Sequence, residues 1–325
     1  MSMQLNGADD SLGKQRAAHK HGATSRAEVR LLYAPLPANG LATTKFTMHD
    51  TVPVEKHDVT TMLNYWDDPG DGSKPTPIFI GKGRITNERP HRAHQFIITD
   101  ISGDEDKYSL NRHGFQYCRH ESHEKDFTDE HKIRTVYYRE CEQLLKDVTG
   151  ASSIRVFNHK VRRGPTQWHH LSLDNLTNRG PVTRTHVDQS YHGAELRLRW
   201  EFPHEADELV KRRYQIINVW RPIQTIWKDP IAVADASSVP DADLVGAEMT
   251  EDGYVGQSWV VRHNPNHRWY FKHGMTPQDV LFIKCFDSDE LVARKSPHTA
   301  FQDPVYRDRE SRQSIEVRCL VCYRD

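Results

Sequence analysis

Thr185-His186-Val187-Asp188-Gln189-Ser190 is the stretch that decides how this 325-residue chain is read. Val182, Thr183, Thr185 and Val187 are β-branched, and such residues favour strands. Residues two apart in a strand share a face. His186 and Asp188 are therefore expected to point together into a barrel interior, with Val187 on the other face. A 2-His-1-carboxylate set on non-haem Fe(II) leaves open positions for a co-substrate and dioxygen. The pair supplies two of those three ligands. His298, in Ser296-Pro297-His298-Thr299-Ala300, qualifies as the third, because it follows a strand-like run from Asp279 to Phe286 and precedes the last one. His-x-Asp also occurs in many proteins as plain surface or core residues, and this chain has 20 histidines. The order of His186, Asp188 and His298 relative to the terminal arginines is what singles them out.

Those arginines lie in Arg312-Gln313-Ser314-Ile315-Glu316-Val317-Arg318. The alternation predicts a half-buried strand with Ile315 and Val317 on one face and the polar residues on the other. A guanidinium binds carboxylate through a two-pronged fork. Arg312 is the first choice, with Ser314 beside it, for holding the carboxylate of a diacid co-substrate, and Arg318 is the second. The plain alternative is that one of them pairs with Glu316 or a surface acid.

The Arg312-Gln313-Ser314 triplet resembles the Arg-x-Ser motif of the Fe(II)/2-oxoglutarate oxygenases. A closer resemblance is to the fungal hydroxylase/desaturase family related to gibberellin desaturase, aspergillic-acid-type hydroxylases and the cephamycin methoxylase accessory protein. It is carried by Asn64-Tyr65-Trp66, the 185–190 stretch, Asn218-Val219-Trp220-Arg221-Pro222, Lys284-Cys285-Phe286-Asp287, Pro297-His298-Thr299-Ala300-Phe301 and Ser314-Ile315-Glu316-Val317-Arg318, over about residues 28 to 325. The resemblance implies a double-stranded β-helix (jelly-roll, cupin-like) core, mainly β with flanking helices. It also implies Fe(II), 2-oxoglutarate and O2, with succinate and CO2 released as a small specialised metabolite is hydroxylated, desaturated or oxidatively cyclised. Asn218, Trp220, Arg221, Lys284 and Phe286 are candidates for lining the substrate pocket, and each is equally readable as structural. The competing readings are a cupin-like metal-dependent isomerase or hydrolase that does not use 2-oxoglutarate, and a non-catalytic partner protein that kept the fold.

The formal net charge of −1 gives no long-range field favouring nucleic acid or an anionic membrane. Five scattered cysteines, an odd number, argue for a reducing compartment. Cys319 and Cys322 form a C-x-x-C, but three residues apart in a strand they face opposite sides, against a zinc or redox role. No apolar run approaches the ~20 residues needed to span a bilayer, and no apolar signal-peptide core is evident. The chain reads as cytoplasmic, with a small-molecule substrate.

Residues 1–26 hold almost no large apolar side chains and are expected to be disordered, leaving 27–325 as a single domain. Val29 to Tyr33 reads as a first strand. Phe127 to Val148 reads as the clearest helix, capped by Thr128, ended by Gly150 and striped with Ile133, Val136, Tyr137, Cys141, Leu144, Leu145 and Val148. Ala206 to Arg213 reads as a short helix. Gly103 to Glu124 reads as a polar stretch whose Tyr108, Phe115 and Tyr117 either cover the barrel mouth or anchor a long loop. Asp235 to Gly253 reads as an exposed acidic loop. His169 and His170 are rival ligands ranked below His186 because no carboxylate stands two residues away. The remaining short apolar runs, separated by turns, suit a sandwich or barrel.

Overall fold

The computed structural model describes residues 55–81, 84–86, 89–168, 178–251 and 253–323. The expectations for residues 1–26, for Val29 to Tyr33 and for His169 and His170 lie outside them. Fifteen strands occur among the described residues: β1 (Val59–Trp66), β2 (Ile78–Gly81), β3 (Arg84–Thr86), β4 (His91–Asp100), β5 (Phe115–Arg119), β6 (Ser153–Arg162), β7 (His186–Val187), β8 (Tyr214–Pro222), β9 (Ile231–Ala234), β10 (Leu244–Glu251), β11 (Tyr254–Val261), β12 (Trp269–Phe271), β13 (Asp279–Asp287), β14 (His298–Ala300) and β15 (Ser314–Cys322). Ten form one sheet in the order β1-β4-β12-β9-β14-β7-β11-β10-β2-β3, and five form a second in the order β5-β13-β8-β15-β6. The core is the mainly β jelly roll that the family resemblance implied.

The period-2 pattern of the small sheet explains its two faces. In β15, Ile315, Val317, Cys319 and Val321 join Ile217 and Val219 of β8 and Phe282 of β13 in one apolar cluster. The helical run over Glu130–Lys132, Ile133–Tyr137 and Tyr138–Thr149 closes that cluster with Ile133, Tyr137, Cys141 and Leu145. Its stripe is narrower than the sequence suggested, since Val136 is exposed. A π turn over Ile133–Tyr137 interrupts the α-helix and rotates the residues after it. The cap is Asp129 rather than Thr128, its carboxylate accepting from the His131 and Lys132 amides. An ionised cap also complements the positive helix end. Gly150 ends the run in the left-handed region, at φ 69°.

Ser314, Glu316 and Arg318 alternate with those apolar residues and so turn to the opposite face of β15. On β8 the same alternation puts Asn218 and Trp220 on that inner side. Cys319 packs under the helix while Cys322 joins a different cluster, the opposite facing expected of them. All five cysteines are free.

Two loop expectations are corrected. Phe115 and Tyr117 belong to β5, which pairs with β13, and they pack with Trp220, Leu281 and Ile283 as sheet core, not over a mouth. The stretch from Asp235 to Gly253 holds two 3-10 turns and β10, which pairs along its whole length with β11. Four of its acids are paired, Asp235 with Arg268, Asp241 with Lys295, Asp243 with His267 and Glu251 with Lys160. The second short helix is confined to Ala206–Leu209. The helix at Tyr191–Glu201 had no clear periodic signal; it buries only Gly193, Ala194 and Leu198. No helix among the described residues is long and apolar enough to cross a membrane.

Candidate metal centre

The metal strand is shorter than expected. β7 holds only His186 and Val187, and Asp188 lies in the bend after it. The bend is fixed from both sides. The Ser190 amide donates to the Gln257 carbonyl at 2.8 Å and the Ser190 hydroxyl to Gln257 Oε1 at 2.7 Å. Ser190 Oγ also caps the next helix by accepting from the Gly193 amide. Gly193 itself touches β11, where a Cβ would meet the Gln257 carbonyl oxygen at 1.9 Å.

β7 pairs with β11 on one side and β14 on the other, and His298 sits directly opposite His186. Their ring centroids are 4.5 Å apart. His186 Nδ1 donates to the Arg184 carbonyl at 2.7 Å, and His298 Nδ1 to the Ser296 carbonyl at 3.2 Å. A carbonyl can only accept, so each Nδ1 carries a proton, which leaves Nε2 as the nitrogen that can offer a lone pair. His298 Nε2 is buried with no hydrogen-bond partner. His186 Nε2 lies 3.5 Å from Asp188 Oδ1, and ligand atoms of all three residues fall within 4.8 Å of one another. Burial lowers His298 to about 3, helped by the neighbouring His186, so its ring is neutral. Burial opposes ionisation of Asp188, but the Arg318 guanidinium outweighs it and holds the carboxyl well below its usual range. Two imidazoles and one carboxylate, with an orphaned buried nitrogen among them, fit a divalent transition ion. His57, His273 and Asp303 also cluster within 4.8 Å, but His57 is already closed onto Asp303 at 2.7 Å and none of the three lines the cavity described below.

Around the triad, Arg318 donates from Nε to Asp188 Oδ2 at 2.9 Å and from Nη2 to Glu316 at 2.7 Å. Asn218 Nδ2 donates to Asp188 Oδ2 at 2.6 Å and to Glu316 at 3.2 Å. Arg318 thus takes the plain alternative, pairing with Glu316, and adds Asp188. Burial lifts the Glu316 carboxyl, an effect that Arg318 only partly offsets. Arg312 lies six residues before Arg318, just ahead of β15. It is buried, its Nη1 donates to the Asp229 carbonyl at 3.0 Å, its charge sits 5.4 Å over the Trp220 ring, and its Nε has no partner. Asp229 offers that carbonyl from a left-handed backbone, φ 52°, an uncommon conformation for a residue with a Cβ. Ser314 Oγ is also buried and unpaired, and Arg162 stands opposite Ser314 in the β15–β6 register. Burial and then Arg162 push Arg312 down to about 9.

A cavity opens on His186, Asp188 and Arg318, walled by Trp66, Phe157, Trp168, Met249, Tyr254 and Val260. None of the five lining candidates is among the residues that wall this cavity, although Asn218 reaches the triad through Asp188. Trp220 lies under Arg312. The other three lie elsewhere. Arg221 shares the parity of Ile217 and Val219, so it projects under the helix, where Nε donates to Tyr137 Oη at 3.1 Å and Nη1 to the His120 and Pro277 carbonyls. Lys284, past which β13 slips register, is fully buried and ion-paired to Asp287 at 2.7 Å. Phe286 packs on Tyr191 and Tyr214. Arg89, Arg162, Arg184 and Gln189 also line the cavity. Arg184 and Gln189 flank the His186–Asp188 pair, whereas Arg89 and Arg162 arrive from two other segments that carry no local mark.

A family model described as an oxidoreductase/YMDC permease-like domain matches residues 63–322. The hydroxylase/desaturase efuI of Hormonema carpetanum is 36% identical over 295 residues, covering 85% of this chain and 98% of that protein. The alpha-ketoglutarate-dependent dioxygenase tstK of Talaromyces stipitatus is 33% identical over 234 residues, 70% of this chain and 84% of that one. Among solved structures, the iron and alpha-ketoglutarate-dependent endoperoxidase NvfI superposes with a TM-score of 0.71 at 22% identity, over 82% of this chain and 99% of that one, a likeness of fold. The chain belongs to this oxidoreductase family, with the fungal hydroxylase/desaturases and alpha-ketoglutarate-dependent dioxygenases among its relatives.

Proposed function

We propose that the chain is a non-haem Fe(II)/2-oxoglutarate-dependent oxygenase acting on a small specialised metabolite in the cytoplasm, with residues 27–325 as one catalytic domain. The observation that carries this reading is the pair of facing imidazoles whose Nε2 lone pairs meet the Asp188 carboxylate. His186, Asp188 and His298 hold the iron. Iron with 2-oxoglutarate and O2 supplies the oxidising chemistry, releasing succinate and CO2. The residues do the rest. Arg184 and Ser296 carbonyls fix the two ring tautomers. Arg318 and Asn218 hold the carboxylate in place and keep it ionised. Arg312, Arg162 and Ser314 take the distal carboxylate of 2-oxoglutarate, filling the unpaired Arg312 Nε and Ser314 Oγ. The apolar walls exclude water from the reacting face. The relatives named as alpha-ketoglutarate-dependent support this over an isomerase or hydrolase.

Anaerobic titration of Fe(II) and then 2-oxoglutarate tests the reading. A weak visible charge-transfer band is expected on adding the second component. Iron binding without that band would favour the isomerase or hydrolase.

A further inference from the structure

Among the described residues, the cavity is lined by seven arginines and lysines against two carboxylates, Asp188 and Glu251. A divalent iron and a dianionic co-substrate leave that excess of five charges unchanged. Several of the cations are neutralised. Lys160 pairs with Glu251 at 2.7 Å, Arg197 with Glu201 at 3.2 Å, and Arg318 with Asp188 and Glu316. Arg89 is different. It is only 6% exposed, and it donates to main-chain carbonyls alone, Nε to Thr76 and Nη2 to Glu248, both at 2.7 Å. Burial, then the charge of Arg184, brings its pKa down to about 10. A buried guanidinium with no counter-ion among the described residues carries a desolvation penalty that an anionic ligand would offset.

The same lining holds three buried oxygens without partners: Asn158 Oδ1, Thr185 Oγ1 and Gln189 Oε1. Buried acceptors are normally satisfied, so these point to donors that arrive with a ligand. Trp66, Met249 and Val260 give the remaining wall an apolar character.

We propose that the organic substrate is an amphipathic hydroxy-carboxylic acid whose carboxylate is bound by Arg89 and whose hydroxyl donates to one of the unpaired oxygens of the lining. This rests on the reading of the same cavity as an Fe(II)/2-oxoglutarate site. The apolar body lies against the Trp66 and Met249 wall, and the two polar ends fix which carbon faces His186 and Asp188. The unpaired Arg312 Nε and Ser314 Oγ lie outside the cavity lining, so the co-substrate and substrate carboxylates have separate partners.

The test uses the full chain, anaerobic and saturated with Fe(II) and 2-oxoglutarate. Appearance of the charge-transfer band is checked first; its absence defeats the functional reading rather than this one. Dodecanoate, 12-hydroxydodecanoate and their methyl esters are then titrated calorimetrically. The acids are expected to bind about tenfold or more tightly than their esters, as a charge-assisted contact implies, with the hydroxy acid the tightest. Arg89→Gln should erase the acid–ester difference, while Arg89→Lys keeps most of it. Equal binding of acids and esters by the unmodified protein, no binding of either acid, or an undiminished preference in folded Arg89→Gln would overturn the proposal. Should Arg89→Gln not fold, the acid–ester comparison on the unmodified chain and on Arg89→Lys decides.

Discussion

The Arg318 guanidinium spans both carboxylate oxygens of Asp188, with Nε 2.9 Å from Oδ2 and Nη2 3.2 Å from Oδ1. The two residues are 130 positions apart in the chain. A fork of this kind fixes the plane of the carboxylate as well as its charge. Arg318→Gln should therefore weaken Fe(II) binding by about 10- to 100-fold, the usual cost of losing a partner behind a metal ligand. Fe(II) titration followed by the melting temperature separates this from plain destabilisation. Recovery of iron affinity in Arg318→Lys would show that charge matters, and failure to recover that the fork matters.

His186→Ala, Asp188→Ala and His298→Ala should each abolish stoichiometric Fe(II) binding, with far-UV circular dichroism unchanged. Each removes one member of the donor set while leaving the β7–β14 backbone pairing intact. Normal iron content in any one variant would remove that residue from the set.

Arg312→Ala should raise the 2-oxoglutarate concentration needed for half-saturation by roughly 10- to 100-fold, since a hydrogen bond to a charged group is worth about 1.5–3 kcal/mol. Fe(II) affinity should barely change, because Arg318 rather than Arg312 touches Asp188. Titrating the co-substrate into iron-loaded protein reads this directly. Arg162→Gln should shift the same constant in the same direction.

Asp287 anchors a buried ion cluster, accepting from Lys284 at 2.7 Å, Arg213 at 2.9 Å and Gln215 at 2.6 Å. Burial works against its ionisation, but these donors hold the carboxyl below its usual range. A carboxyl depressed in the folded state contributes stability that is present above its unfolded value, near pH 4, and is lost as pH falls through the lower folded value. Asp287→Asn should cost about 3–5 kcal/mol at pH 7, the range for breaking a buried pair. That difference should shrink below about pH 4, as urea melts across the range will show.

Gly193→Ala should lower the melting temperature and loosen iron binding together. A Cβ there meets the Gln257 carbonyl oxygen at 1.9 Å, and Gln257 also holds Ser190 beside Asp188. A drop in stability with unchanged iron affinity would show that the Asp188 bend does not depend on that contact.

The jelly roll is implied by the family resemblance, and His298 is picked by its order in the chain; what the sequence patterns by themselves determine is the series of short strands, the His-x-Asp pair and the alternation of β15. Each is a short-range pattern: β-branched residues around His186, polar and apolar residues in turn from Ser314 to Arg318, and turns between short runs. Parity along β8 was readable too, and it puts Arg221 on the apolar side with Ile217 and Val219 rather than with Asn218. What the tertiary structure decided is how distant segments meet. His298 faces His186 because β14 and β7 are neighbours in the large sheet, Arg318 rather than Arg312 reaches Asp188, and Arg162 stands opposite Ser314. These are pairings across about 110 to 150 positions of chain. Strand order and register set them, and local propensity, acting only over a few residues, carries no information about which strands become neighbours.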